Sequence, residues 1–345
     1  MSAVATARSL RWGPWSRRVA PRSVLALAVL ALVAVGTVVL ALTVGRGGLA
    51  PTSLLYALTP DASGADRLVF EWRGARALAA VLFGACLGVS GAVFQAVTRN
   101  PLGSPDVIGL NAGSYAGVVA VIALGGTGLT ATAAGSLAGG LAAACAVYLL
   151  AFKQGVQGFR LIIVGIAVGA VLQSLTSWFS VRADLDVALR AAIWGAGTLS
   201  GTTWHDVGVA ALAAVPLALS WPWIARVLPQ LALGDDAASA MGLRLEPARA
   251  ALVVLGVAST ALVTAFAGPI AFVALAAPQI ARRIVGGGSG APGVLGSALV
   301  GAVLLGLGDV IAQHALPARL PVGAVTVVIG GMYLVWLLFR ESGRS

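Results

Sequence analysis

Ten apolar stretches, each close to the length that crosses a bilayer, dominate the chain. They run roughly over residues 24–44, 76–97, 107–125, 130–151, 161–181, 206–225, 250–267, 270–285, 293–312 and 322–339. A spanning helix needs about 20 apolar residues to cross a hydrocarbon core about 30 Å thick; the third and eighth stretches are short. The runs are continuous, not alternating, and rich in Ala, Leu and Gly, which disfavours a β-barrel. Charge is too scarce for a water-facing surface. Only 10% of the 345 residues are charged, 59% are hydrophobic, and the mean hydropathy is +0.96, whereas a soluble domain carries about a quarter charged residues. The sequence predicts an all-α membrane protein of about ten transmembrane helices.

An even number of spans places both termini on one side, and the cationic residues say which. With the N-terminus inside, the outer segments hold seven of the 22 Lys and Arg: Arg46, Arg67, Arg73, Arg76, Arg182, Arg190 and Arg319. The other fifteen lie inside, so the expected topology is N-in/C-in. Residues 1–23 read as a disordered basic cytoplasmic tail that fixes topology and touches anionic lipid, and residues 24–345 as the polytopic permeation domain. The first apolar run is too long for a signal-peptide core, so it is read as an uncleaved helix.

Several function classes fall away. The net charge of +10 is scattered through short breaks between apolar runs and forms no nucleic-acid face. Cys86 and Cys145 lie inside apolar runs and imply no disulfide framework. The two histidines, His205 and His314, stand in no Cys/His cluster, so no metal site is expected. The only lysine, Lys153, lies in Phe152-Lys153-Gln154. A P-loop places its lysine between Gly and Ser or Thr; if ATP drives this protein, another polypeptide binds it. Asp309 is the only acid expected within a span, either capping a helix end or facing water. That scarcity argues against a carrier coupled to an ion gradient, which usually needs intramembrane carboxylates. The small-xxx-small pairs Gly84/Gly88, Gly113/Gly117, Gly135/Gly139 and Gly165/Gly169 suit a closely packed bundle.

Two interruptions carry information. Between the second and third spans, Asn100, Pro101 and Pro105 form an inner turn that cannot continue as helix. Ser104 or Asp106 there is placed to cap the third span. Asn111 and Ser114 put polar groups just inside that span, where they either join helices or line a wet path. The longest inner loop, 226–249, contains Leu233, Gly234, Asp235, Asp236, Ala238, Met241 and Gly242. Acids at its start and glycine at its end predict a short helix. It lies on lipid or docks a cytosolic partner.

These residues resemble the FecCD-type permeases of iron–siderophore and vitamin B12 ABC importers. The resemblance extends from about residue 70 to 340. It rests on Arg73-Gly-Ala-Arg76, the run from Gly84 through Gly91 to Gln95, the run from Asn100 through Pro105 to Gly109, the run from Trp194 to Gly201, the loop Leu233–Gly242, the run from Gly268 through Phe272, Pro278 and Gln279 to Arg282, and Leu320-Pro-Val-Gly323. Each motif is weak alone; together, in family order, they are specific. The chain departs from the pattern at Ala75 (family Pro), Ala274 (Gly), Gln279 (His), Gln313 (often Arg) and Arg319 (often Glu).

The resemblance implies a type II ABC importer permease, itself non-catalytic, in the cytoplasmic (inner) membrane. Its partners would be a second permease subunit, identical or related, two cytosolic ABC ATPases holding ATP and Mg, and an extracytoplasmic substrate-binding protein. It carries no cofactor of its own. On this reading Leu233–Gly242 is the ATPase-coupling loop. Arg73 and Arg76 dock the binding protein or, alternatively, snorkel at a helix head. Gln95, Asn111, Ser114, Gln173 and Thr176 lie near the path. The expected cargo is an iron(III)–siderophore chelate, with cobalamin or haem as the alternative. An ion-coupled carrier is the reading from another class.

Overall fold

The computed structural model describes residues 8–12, 15–45, 48–50, 53, 59, 64–106, 109–126, 128–151, 158–286, 290–315 and 318–342. Thirteen α-helices follow a short N-terminal hairpin of strands β1 (Arg8–Trp12) and β2 (Trp15–Val19), paired antiparallel with Trp12 opposite Trp15. The basic tail thus has regular structure where none was expected; Trp and Val favour extended backbone.

The helices are α1 (Pro21–Thr43), α2 (Gly64–Val69), α3 (Ala75–Thr98), α4 (Leu110–Ala123), α5 (Leu129–Ala151), α6 (Gly158–Arg182), α7 (Leu185–Gly195), α8 (Trp204–Ala232), α9 (Asp235–Ala240), α10 (Leu245–Ala267), α11 (Val273–Val285), α12 (Ala291–His314) and α13 (Val322–Ser342). Each of the ten apolar runs coincides with one of them. Seven helical stretches are long and apolar enough to cross a membrane: α1, α3 with its α2 extension, α5, α6, α8, α10 and α12. A π-helical turn, Phe70–Gly74, joins α2 to α3, and the Phe70 ring stacks on Trp204 with centroids 5.4 Å apart.

The fold is organised around α3, which is buried along most of its length. Its glycines explain why. A Cβ at Gly84 or Gly88 would overlap the α12 carbonyl oxygens of Gly301 or Ser297, and one at Gly91 would overlap that of Ala274 on α11. Backbones can approach this closely only without side chains between them, which is how small residues drive helix association in lipid. A second such contact joins α4 to α5, where Gly113 and Gly117 face Gly135 and Gly139. Two apolar clusters fill the space between helices. One gathers Phe83, Leu199, Ile270 and Leu305; the other gathers Phe94, Leu110, Leu161, Leu228 and Leu252.

Two features differ from the sequence reading. The inner loop 226–249 is largely helical, because α8 continues to Ala232 and α10 begins at Leu245. A helix of 29 residues is about 43 Å long and outruns the hydrocarbon core, so its last turns, with Arg226 and Gln230, project beyond it. The second difference is α7, a helix inside a segment read as an outer loop. Its 11 residues are too few to register as a span.

The helices α4 and α11 are short, with 14 and 13 residues, or about 20 Å each. Both begin inside the protein. Segment 100–106 turns back from the end of α3 and lies against α11, where Pro101 O accepts Gln279 Nε2 at 2.9 Å. One end of the bundle collects Arg99, Asp235 and Arg249; the other collects Arg76, Ser200 and Asp309. Each group comes from segments assigned to one side of the membrane.

Candidate functional site

The inner end is built on α9. Gly234, at φ 105, and Gly242, at φ 84, bracket the short helix; the acids at its start and Gly242 at its end are where the sequence put them. These dihedrals suit glycine, which has no Cβ to collide with the backbone. Ala238 alone is buried under α9. Leu233, Met241 and Gly242 are exposed, and so is Asp236, so the helix presents a free surface. Asp235 faces the other way. Its Oδ1 accepts Arg249 Nη2 of α10 at 2.6 Å and also Arg99 Nη2 from the end of α3. Arg99 reaches Leu231 O of α8 as well, at 3.4 Å. Partial burial pushes the Asp235 carboxyl up, but the hydrogen bonds and charges of Arg249 and Arg99 prevail and hold it below the usual carboxylate range.

Beside this cluster a half-open cavity of about 420 Å³ lies among α3, α8, α11 and α12. Gln95, Arg99, Asn100 and Pro101 line one wall, and Pro278, Arg282 and Ser297 the other. Gln95 Nε2 donates to Leu275 O at 2.9 Å, while its Oε1 is buried without a hydrogen-bond partner among the described residues. Pro105 is buried. Asp106 does not cap α4, whose N-cap is Gly109 with no side-chain bond. Its carboxylate instead accepts Asn111 Nδ2 at 2.6 Å, and the backbone N–H of Phe272 at the head of α11 lies near enough to stabilise its charge. The acid therefore joins the beginnings of both short helices, where exposed N–H groups favour negative charge.

At the outer end Arg76 is held within the chain. Its guanidinium turns inward and grips Asp309 on α12, Nε at 2.8 Å from Oδ2 and Nη2 at 2.7 Å from Oδ1; Nη1 donates to Ser200 at 3.1 Å. The pair is largely buried, with side-chain exposures of 16% and 5%. Asp309 is therefore neither a helix cap nor a water-facing acid. It is the counter-ion that allows a cation to sit at this depth. Arg73 is half-buried and donates Nη1 to Val44 O at 2.5 Å, closing the C-terminus of α1. Arg319 is exposed, and Gln313 carries a buried Nε2 with no partner among the described residues.

The five residues expected near the path do not converge within one chain. Gln95 lies on the inner cavity. Asn111 and Ser114 are on the first turns of α4, where each has a buried oxygen without a partner among the described residues. Gln173 is exposed on α6, and Thr176 is buried and bonds back to Gln173 O at 2.9 Å. Sequence reasoning missed Arg99, Arg249 and Gln279 as site residues. Arg99 precedes Asn100-Pro101 directly, so only its spatial partner was hidden.

The chain resembles known proteins over nearly its whole length. It is 45% identical to the ferric enterobactin transport system permease protein FepG of Escherichia coli (strain K12), covering 81% of this chain and 84% of that one. It is 34% identical to the iron(3+)-hydroxamate import system permease protein FhuG of Bacillus subtilis (strain 168), covering 93% and 98%. A solved metal-chelate type ABC transporter in an inward-facing conformation superposes with a TM-score of 0.80 at 26% identity, covering 91% of this chain and 98% of that one. Residues 30–340 match the FecCD transport family; with that match and relatives this similar, the chain belongs to that family.

Proposed function

We propose that the protein is the permease subunit of an ABC importer that carries an iron(III)–siderophore chelate across the cytoplasmic membrane. The observation that carries this reading is α9: a short helix with an exposed outer surface, fixed from behind by Asp235 and placed between two long spans. Such an element suits a cytosolic motor domain that pushes on the membrane part. A separate ATPase supplies the hydrolysis, because the sequence has no P-loop. The similarity to permeases for ferric enterobactin and iron(3+)-hydroxamate supports the cargo class.

The working unit pairs this chain with a second permease subunit, two ATPases and an extracytoplasmic binding protein. The exposed face of α6, with Gln173, then turns to the partner permease and borders the path, while the binding protein does most of the selecting. ATP-driven movement of α9 shifts the bundle between packed arrangements. The outer face, including exposed Arg319, receives the binding protein.

The test is uptake of ⁵⁵Fe-loaded enterobactin and of a ⁵⁵Fe-loaded hydroxamate siderophore by cells lacking the gene and by cells with it restored. Each is run with ATP depleted and with the proton gradient collapsed at maintained ATP. Gene-dependent uptake lost only on ATP depletion is the expected result. Loss on gradient collapse alone overturns the importer reading in favour of a carrier. Uptake of cobalamin or haem in place of either chelate overturns the cargo.

A further inference from the structure

Little besides chain continuity ties α9 to the membrane part. Ala238 is its one buried residue. Its flanks are α8 and α10, and Arg249, one of the two cations on Asp235, belongs to α10. The other cation, Arg99, comes from elsewhere in the sequence. It closes α3, the helix around which the bundle is packed, and it also bonds the last turn of α8.

Arg99 sits at φ 50 and ψ 34, a left-handed conformation that favours glycine. Among the described residues outside glycine, only Phe272 shares a positive φ. The two are the ends of one stitched path. Directly after Arg99, Asn100 Oδ1 accepts the Leu102 N–H at 2.9 Å and makes the turn rigid. Pro101 O is held by Gln279 of α11. The Phe272 backbone N–H, where α11 begins, lies near Asp106 and stabilises its charge. Segment 100–106 is thus fastened to α11 at Pro101, meets the head of α11 at Asp106, and reaches α9 through Arg99.

We infer that Arg99 is the positioning residue that carries the movement of α9 into the membrane core, through segment 100–106 to the heads of α4 and α11. Without it, α9 pulls only on α8 and α10. The inference rests on the proposed engagement of α9 by an ATPase and goes further by naming the route of the stroke. The test reads the movement of the segment directly.

Leu102, 45% exposed, is replaced by Cys in a Cys145→Ser background, since Cys145 is exposed and Cys86 is buried. The permease is purified with its ATPase in nanodiscs, and maleimide labelling is compared without nucleotide and with ATP plus vanadate. Trapping the nucleotide should change the labelling rate about fivefold or more. Arg99→Gly, which suits the positive φ and so preserves the turn, should abolish that change while the ATPase still co-purifies. Arg99→Lys should restore part of it. Arg249→Gln, which also unbalances Asp235, should reduce it far less than Arg99→Gly does.

A full change in Arg99→Gly, an equal loss in Arg249→Gln, or no change at residue 102 in the parent complex each overturns the inference. Siderophore uptake by the parent is scored separately, so failure of the cargo assignment leaves this result readable.

Discussion

Arg76 and Asp309 are separated by 233 positions in sequence and meet as a bidentate pair. Removing one partner strands a charge in a dry place, which costs about 3–5 kcal/mol. Arg76→Ala is therefore expected to lower thermal stability in detergent by several degrees and to reduce the folded protein recovered. Arg76→Met with Asp309→Leu should regain most of the loss. Reversing Arg73 alone should be milder, because its carbonyl contacts with Ala41 and Val44 at the end of α1 strand no buried counter-charge when lost. Asp235 behaves differently, being partly exposed. Its carboxyl is held low, so its pairing contributes at all pH values above the ordinary carboxylate range and is lost as pH falls through the depressed value. Asp235→Asn should cost about 0.5–1 kcal/mol, and thermal melts from pH 5 to pH 8 should show that difference as constant. Residues of this kind were half-legible in sequence. The types and positions of Arg76, Asp309 and Arg99 were visible, but pairings across such separations depend on which helices pack, and no local pattern encodes that.

At the scale of elements, the apolar runs gave the positions of ten helices directly, seven of them long and apolar enough to cross a bilayer. What escaped were elements governed by other rules. The helix α7 is too short to stand out by hydropathy, and the last turns of α8 carry Arg226, Pro229 and Gln230, which look like loop. The acids and glycines around α9 marked its limits correctly, because its ends are set by local backbone chemistry. The proline-rich segment 100–106 was recognised as a non-helical turn, yet its return into the bundle depends on Gln279 and Phe272, far along the chain. The close contacts of α3 give an element-scale prediction. Gly91→Ala would drive a Cβ into the Ala274 carbonyl, and overpacking of this kind typically costs about 1–3 kcal/mol. Gly36→Ala on α1, with nothing within 4 Å, should leave thermal stability in detergent unchanged or slightly raised.

For the whole molecule, the distribution of exposed apolar surface matters most. Leu32 on α1 is 72% exposed, and α6 presents Leu175 and Trp178 at 56% and 60%. Both faces need cover, by lipid or by a second permease subunit. The presence of Gln173 on the α6 face distinguishes them, since a lipid-facing amide would lack partners in hydrocarbon. A cysteine at Gln173 in the assembled transporter should react with a water-soluble maleimide, whereas one at Leu32 should not. Equal labelling of both would remove α6 from the path. The sequence had placed Gln173 with Gln95, Asn111 and Ser114 near one path. On the proposed pairing of two permease subunits each chain supplies half the wall of the path, and these residues accordingly lie apart within one chain.

The glycine seam of α3 with α11 and α12 also has a genetic consequence. Every single-base change that alters a glycine codon, other than to a stop, installs a residue with a Cβ. At Gly84, Gly88, Gly91 and Gly301 that atom meets backbone carbonyl oxygen, which cannot move aside as a flexible side chain can. These codons have no tolerant neighbours, so inherited variation along the seam should be confined to synonymous changes, while glycines such as Gly36, Gly208 and Gly331, with open space around them, drift freely.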